Sequence, residues 1–162
     1  YRSAAISSMQ MKSRCCGRLR AGAASTETIV WRDERLEQAA NLYSPLSLAY
    51  LGDAVYSLLV RERLMREHLA PAGVLHRYAA RYVSAAAQSR ACETLLPLLE
   101  EDEMRVYNRG RNADPANIPK HAQRSDYHRA TAFEAVFGYL HLAGRTQRLN
   151  TLFNEVYTAL SE

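Results

Sequence analysis

Two acidic residues stand where acids are costly. Between Ser44 and Val60 the only charged residue is Asp53, and between Ala130 and Gly144 the only acid is Glu134. Each sits among Ala, Leu, Val, Phe and Tyr, where an ionised carboxylate loses solvation unless something pairs with it. On a helix Asp53 shares a face with Ala49, Tyr56 and Ser57, and Glu134 shares one with Thr131 and Gly138. Small neighbours leave room beside both groups for water or a ligand. Two readings stay open on this pattern. The acids either form structural ion pairs with arginine, or converge on Mg²⁺, which takes few carboxylates and keeps several waters. A cation held in that way could activate water against a phosphodiester.

A third chemical feature is the stretch RGRNADPANIPKHAQR, from Arg109 to Arg124. It carries Arg109, Arg111, Lys120 and Arg124 against one acid, Asp114, on a backbone stiffened by Pro115 and Pro119. Read from Gly110 to Ser125, it is an ordered loop. A solvated connector is the plain alternative, but fixed cations suit the phosphate contacts that position a duplex. His76 and His141 fall on apolar faces and are expected to pack into the core. Cys15, Cys16 and Cys92 lack zinc-ligand spacing, and Cys92 reads as a core thiol.

The elements that must position these residues are helical. Ala and Leu far outnumber Val, Ile and Thr, which favours helices over sheet. Ser44-Pro45 is a helix start, with a capping hydroxyl and proline in the first turn. Leu48, Leu51, Val55 and Leu58/Leu59 then recur at helical spacing to about His68. Pro71 and Gly73 break the chain. Further helices are predicted over Leu75–Val83, Ser84 to about Leu99, Glu100–Arg109, Asp126–Leu142 and Arg145–Leu160, the last two separated by Gly144. The fold class is all-α, a bundle of about six to seven helices. The first of them has apolar residues on more than one face (Leu46, Leu48, Tyr50, Leu51, Val55, Tyr56, Leu58, Leu59, Val60), so part of its surface needs a cover beyond one core.

Length and charge bound the rest. A chain of 162 residues with 48% hydrophobic and 23% charged residues is one ordinary globular domain's worth. No apolar run reaches the length of a membrane span, which excludes an integral helical membrane protein. The net charge of +4 is unevenly spread. Residues 1–26 hold Arg2, Lys12, Arg14, Arg18 and Arg20 and no acid, a charge of +5, so the rest carries −1. The basic character therefore does not by itself signal nucleic-acid binding. This Ser-, Ala- and Arg-rich leader has the composition of an organelle transit peptide, or else of an unstructured basic arm. Residues 27–43 are expected to form a connecting helix, and 44–162 the domain proper.

Five blocks in order then resemble a known family. LAYLGDAVY (Leu48–Tyr56) is similar to the signature of ribonuclease III domains, and TAFEAVFGY (Thr131–Tyr139) to their second acidic motif. VSAAAQ (Val83–Gln88), RGRNA (Arg109–Ala113) and Pro119-Lys120 match the Mini-ribonuclease III branch, which lacks a separate double-stranded-RNA-binding domain. The resemblance runs from about Ser44 to Leu160. It implies an all-α, homodimeric, Mg²⁺-dependent endoribonuclease (Mn²⁺ as a substitute) that cleaves double-stranded RNA and matures large-subunit ribosomal RNA precursors. It further implies that Asp53 and Glu134 are the catalytic, metal-binding carboxylates, and that Arg109, Arg111, Lys120 and Arg124 lie in the segment that grips RNA. Full-length enzymes carry further acids where this chain has Ala49 and Thr131, a reduction the Mini branch shares. Its signature block usually ends in Glu, here Ser57.

The leader and the resemblance together set the expected location as an organelle, chloroplast before mitochondrion, with a bacterial-type cytoplasm as the alternative. The rival function is a non-catalytic ribonuclease III fold serving as a ribosomal subunit or assembly factor, with ribosome association and pairing to a paralogue in place of itself. Retention of both acids favours the enzyme.

Overall fold

A computed structural model describes residues 38, 40–113 and 124–162 of the chain. All of them belong to one compact unit that begins at Trp31. Among the described residues there are six α-helices and one short 3₁₀ turn: α1 (Pro45–Glu67), α2 (Ala72–Val83), α3 (Ala85–Leu95), the 3₁₀ turn Leu96–Leu98, α4 (Glu101–Arg111), α5 (Arg124–Leu142) and α6 (Thr146–Ser161). Residues 38 and 40–42 are helical as well. The leader and most of the predicted connecting helix lie outside the described residues.

The helix ends follow their local chemistry. The Ser44 hydroxyl accepts from the Ser47 amide at 3.0 Å, with Pro45 in the first turn, as the sequence predicts. Ser84 ends α2 and caps α3. Pro97 lies in the 3₁₀ turn, so α3 stops at Leu95, short of the expected Leu99. Gly73 does not break the chain: it lies in the first turn of α2, after the Pro71 cap. Between α5 and α6, Gly144 takes φ 68° while the Arg145 amide donates to Leu140 O and the Gly144 amide to His141 O. That pair of bonds closes the last turn of α5 in a left-handed cap where a side chain would be strained.

Helix α5 is the axis of the bundle. From Ala130 to Leu140 every residue but Glu134 is buried, and α1, α3, α4 and α6 pack around it. A helix buried all round shows no amphipathic stripe, which is why its sequence is apolar on every side. Tyr56 of α1 anchors the centre, with its ring edge-on to Phe133 at 4.8 Å, Phe137 at 5.2 Å and Phe153 at 5.9 Å. Cys92 is a buried free thiol, as expected, and burial pushes its pKa up.

The acids at the start of α4 do more than match the helix dipole. Glu103 is fully buried and is held by Arg148 from α6 at 2.8 Å, with Arg145 at 3.2 Å. Arg145 also binds Glu100 at 2.6 Å and Asp102 at 2.7 Å, and the Glu100 amide donates to Glu103 Oε2. This cluster ties the base of α4 to the first turn of α6. The two histidines expected in the core are not there. His76 lies on the solvent side of α2 and His141 in the exposed last turn of α5. Both imidazoles keep water at little cost, whereas the core positions beside them go to Ala79 and Leu140.

Candidate active site

The crossing of α1 and α5 is set by two glycines. A Cβ on Gly52 would overlap the carbonyl oxygen of Glu134, and a Cβ on Gly138 would overlap that of Leu48. Each glycine thus receives the carbonyl of the residue four before the other glycine. The main chains touch, and no side chain larger than hydrogen fits between them. Asp53 follows Gly52 directly, and Glu134 supplies the carbonyl lying on that glycine. The crossing therefore brings the two sequence-predicted carboxylates together from opposite ends of the chain.

Their environments differ. Asp53 is exposed, while Glu134 is half-buried. Burial pushes the Glu134 pKa up to about 7, and the Asp53 charge adds to the rise. The Gln88 side chain, from α3, pulls the other way by favouring the ionised form. Gln88 lies close enough for that, yet its Nε2 makes no hydrogen bond of regular geometry. Among the described residues no arginine or lysine forms an ion pair with Asp53 or Glu134. Arginine pairing, the plainer of the two readings of these acids, is instead what Glu100, Asp102 and Glu103 display. Among the same residues no third His, Cys, Asp or Glu joins the pair. Ala49 is buried, and the Thr131 hydroxyl donates to Tyr127 O at 2.9 Å within its own helix. A set of two hard oxygen donors without a cationic partner fits a Mg²⁺-type ion that keeps several waters, and does not fit a closed zinc site.

The basic segment divides. Arg109 and Arg111 are both exposed and belong to the last turn of α4; the helix expected to end at Arg109 runs on to Arg111, which therefore does not lie in a loop that starts at Gly110. The helix continues because Gly110 packs against Ala132 of α5, where a Cβ would come within 2.8 Å of the Ala132 Cα. The Arg109 guanidinium donates to the Tyr43 carbonyl at 3.0 Å, tying the end of α4 to the entry of α1. Arg124 opens α5, its Nε 3.5 Å from His128 Nε2. Lys120 lies outside the described residues.

Sequence reasoning overlooked Gln88 as part of this neighbourhood. Its only signal was an amide in the alanine-rich run SAAAQS, in a block that the family resemblance had singled out without giving the residue a role.

Residues 46–145 match the Ribonuclease III domain family. The Mini-ribonuclease 3 of Brevibacillus brevis is 45% identical over 124 residues, covering 76% of this chain and 92% of that protein. The Mini-ribonuclease 3 of Symbiobacterium thermophilum is 49% identical over 106 residues, covering 65% and 82%. A crystal structure of a Fusobacterium nucleatum protein superposes with a TM-score of 0.66 at 27% identity, covering 73% of this chain and 94% of that one. These relatives, and others from Thermoanaerobacter and Enterococcus faecalis, are bacterial, which overturns the chloroplast or other organellar location expected from the leader. A Ser-, Ala- and Arg-rich arm without acids is a composition, not an address, and it cannot tell a transit peptide from any other basic segment. The chain belongs to the ribonuclease III domain family, in its Mini-ribonuclease 3 branch, and is an endoribonuclease.

Proposed function

We propose that the chain cleaves double-stranded RNA with Asp53 and Glu134 as the residues that hold the divalent cation, Mg²⁺ first and Mn²⁺ as a substitute. The observation that carries this reading is the Gly52/Gly138 crossing, which joins two carboxylates that no described cation neutralises. When bound, the cation supplies Lewis acidity for water and for the charge that builds on a phosphoryl group. The rest of the work falls to the chain. Glu134 holds its carboxylate from the more buried side. Asp53 holds its own from the exposed side, where a phosphate can arrive. The raised Glu134 pKa makes a proton the competitor of the cation, so binding strengthens as pH rises through about 7.

RNA recognition is read as contact with the duplex backbone by Arg109, Arg111, Lys120 and Arg124, because A-form grooves offer little sequence to side chains. The domain spans residues 44–162, and its physiological substrate is a precursor of large-subunit ribosomal RNA. The working form is a homodimer. On α1, Leu46, Tyr50, Ala54, Leu58 and Met65 recur at intervals of four and seven and are exposed, Tyr50 by 86% and Met65 by 70%. An apolar strip of this length is a cost to a monomer and an asset to a pair.

The test is the purified protein on a perfect RNA duplex. Cleavage with Mg²⁺ and none with EDTA is the expected result. An intact duplex, or cleavage that persists in EDTA, overturns the proposal.

A further inference from the structure

Gln88 is a costly residue for its place. It is 1% exposed, on a helix whose other buried positions are Ala87, Ser89, Ala91, Cys92 and Leu95, and its Nε2 has no regular hydrogen bond. A buried amide left in that state costs about 1–3 kcal/mol, which an apolar side chain of the same shape would avoid. The carboxyl it lies against is that of Glu134. Its position there is held by a separate contact. Next to it, Ser89 donates to Asp126 at 2.8 Å and clamps α3 to the first turn of α5. One turn further on, Cys92 Sγ lies 3.3 Å from the Gln88 carbonyl and 3.5 Å from the Arg129 carbonyl of α5. The backbone of α3 is thus pinned to α5 at the residue after Gln88 and again one turn on, and the amide end is left to adjust.

We propose that Gln88 is a positioning residue for Glu134: its buried amide donates to the ionised carboxylate and fixes the orientation in which that carboxylate meets a divalent cation. Being neutral, it does this without lending a third charge to the site. The inference rests on the reading of Asp53 and Glu134 as cation ligands, and it gives the VSAAAQ block a role.

Binding of Mn²⁺ alone, measured by calorimetric titration of the metal-free protein, tests it together with a melting curve. Gln88→Met keeps the length and unbranched shape of the side chain and removes the donor. The expected result is binding weakened about tenfold, the order of one hydrogen bond to a charged group, with a melting temperature no lower than that of the wild type. In a Glu134→Gln background the same change should have no further effect on binding. Should Gln88→Met fail to fold, Gln88→Asn, which withdraws the amide by one methylene, reads the same loss. Wild-type affinity in the folded variant overturns the proposal, as does a lower melting temperature with binding unchanged, the signature of a structural residue. If the wild type binds no Mn²⁺ at millimolar concentration, or if Asp53→Asn binds as well as the wild type, the carboxylate reading itself falls. If Asp53→Asn abolishes binding and Gln88→Met leaves it intact, only the role of Gln88 is lost.

Discussion

Glu134→Gln should make the metal-free protein more stable in alkali while it removes cleavage. The carboxyl group's pKa lies at about 7 in the folded chain, against an ordinary 4.5. Between those values the folded chain holds more proton on this group than the unfolded chain does. Its contribution to stability is therefore fully present below 4.5, falls as pH rises, and is gone above about 7. At 1.36 kcal/mol per unit the gap is worth about 3 kcal/mol, and solvent at the outer edge of a half-buried group reduces this to about 2 kcal/mol. Glutamine carries no proton equilibrium, so the variant lacks this slope, and the cost of burying its own amide does not depend on pH. Urea unfolding in EDTA at fixed protein concentration, from about pH 5 to about pH 8.5, should show wild type losing about 2 kcal/mol relative to the variant. Adding Mn²⁺ at the upper pH should restore wild type by mass action and leave the variant unmoved. Parallel pH curves, within about 0.5 kcal/mol, would refute the argument that burial strains this carboxylate.

Four further outcomes are expected. Gly138→Ala should cost about 3 kcal/mol or more in urea unfolding and abolish cleavage, because the new methyl meets the Leu48 backbone, which cannot give way as a side chain can. Glu103→Gln should cost about 2 kcal/mol by removing the buried carboxylate that accepts from Arg148, with Glu100 and Asp102 still facing the two guanidinium groups, yet leave the Mn²⁺ affinity of the folded protein unchanged. Arg111→Ala with Lys120→Ala should lower the salt slope of duplex binding by about two, one for each lost phosphate contact, while Arg109→Ala should also destabilise the fold through the Tyr43 carbonyl. Leu58→Asp, on the exposed strip of α1, should shift the sedimentation of the protein toward a monomer and lower cleavage with it.

How far the sequence carried depended on the range of the interactions involved. Ser44 and Pro45 announce α1 because a cap and the residues it serves are neighbours in the chain. Asp53 and Glu134 stand out because each breaks an apolar run, and a single misplaced charge is visible without knowing what packs on it. The burial of Glu103 was not legible: its partners, Arg145 and Arg148, lie more than forty positions away, and a charged first turn looks the same whether it faces water or a guanidinium. Gln88 was hidden for a related reason, since an amide is ordinary in a helix until a carboxylate from another helix is placed against it. His76 and His141 erred in the opposite sense. Their apolar neighbours in sequence suggested burial, but both lie on positions turned to water, His76 beside Arg77 and Ala80 on α2 and His141 in the last turn of α5. Gly110 reads as a break because glycine usually is one, and only the approach of Ala132 explains it inside α4.

The crossing of α1 and α5 has a consequence for how such a protein can change over time. Where two helices meet through side chains, each substitution at the contact alters their separation by the volume gained or lost. Here the contact is carbonyl against glycine in both directions, so the spacing is measured in main-chain atoms alone. The ring cluster around Tyr56 and the walls formed by α3, α4 and α6 can exchange side chains without moving the two carboxylates apart. A chain that differs from its Brevibacillus brevis relative at more than half of the aligned positions has room for that drift. What it cannot exchange are the two residues that contribute no side chain at all.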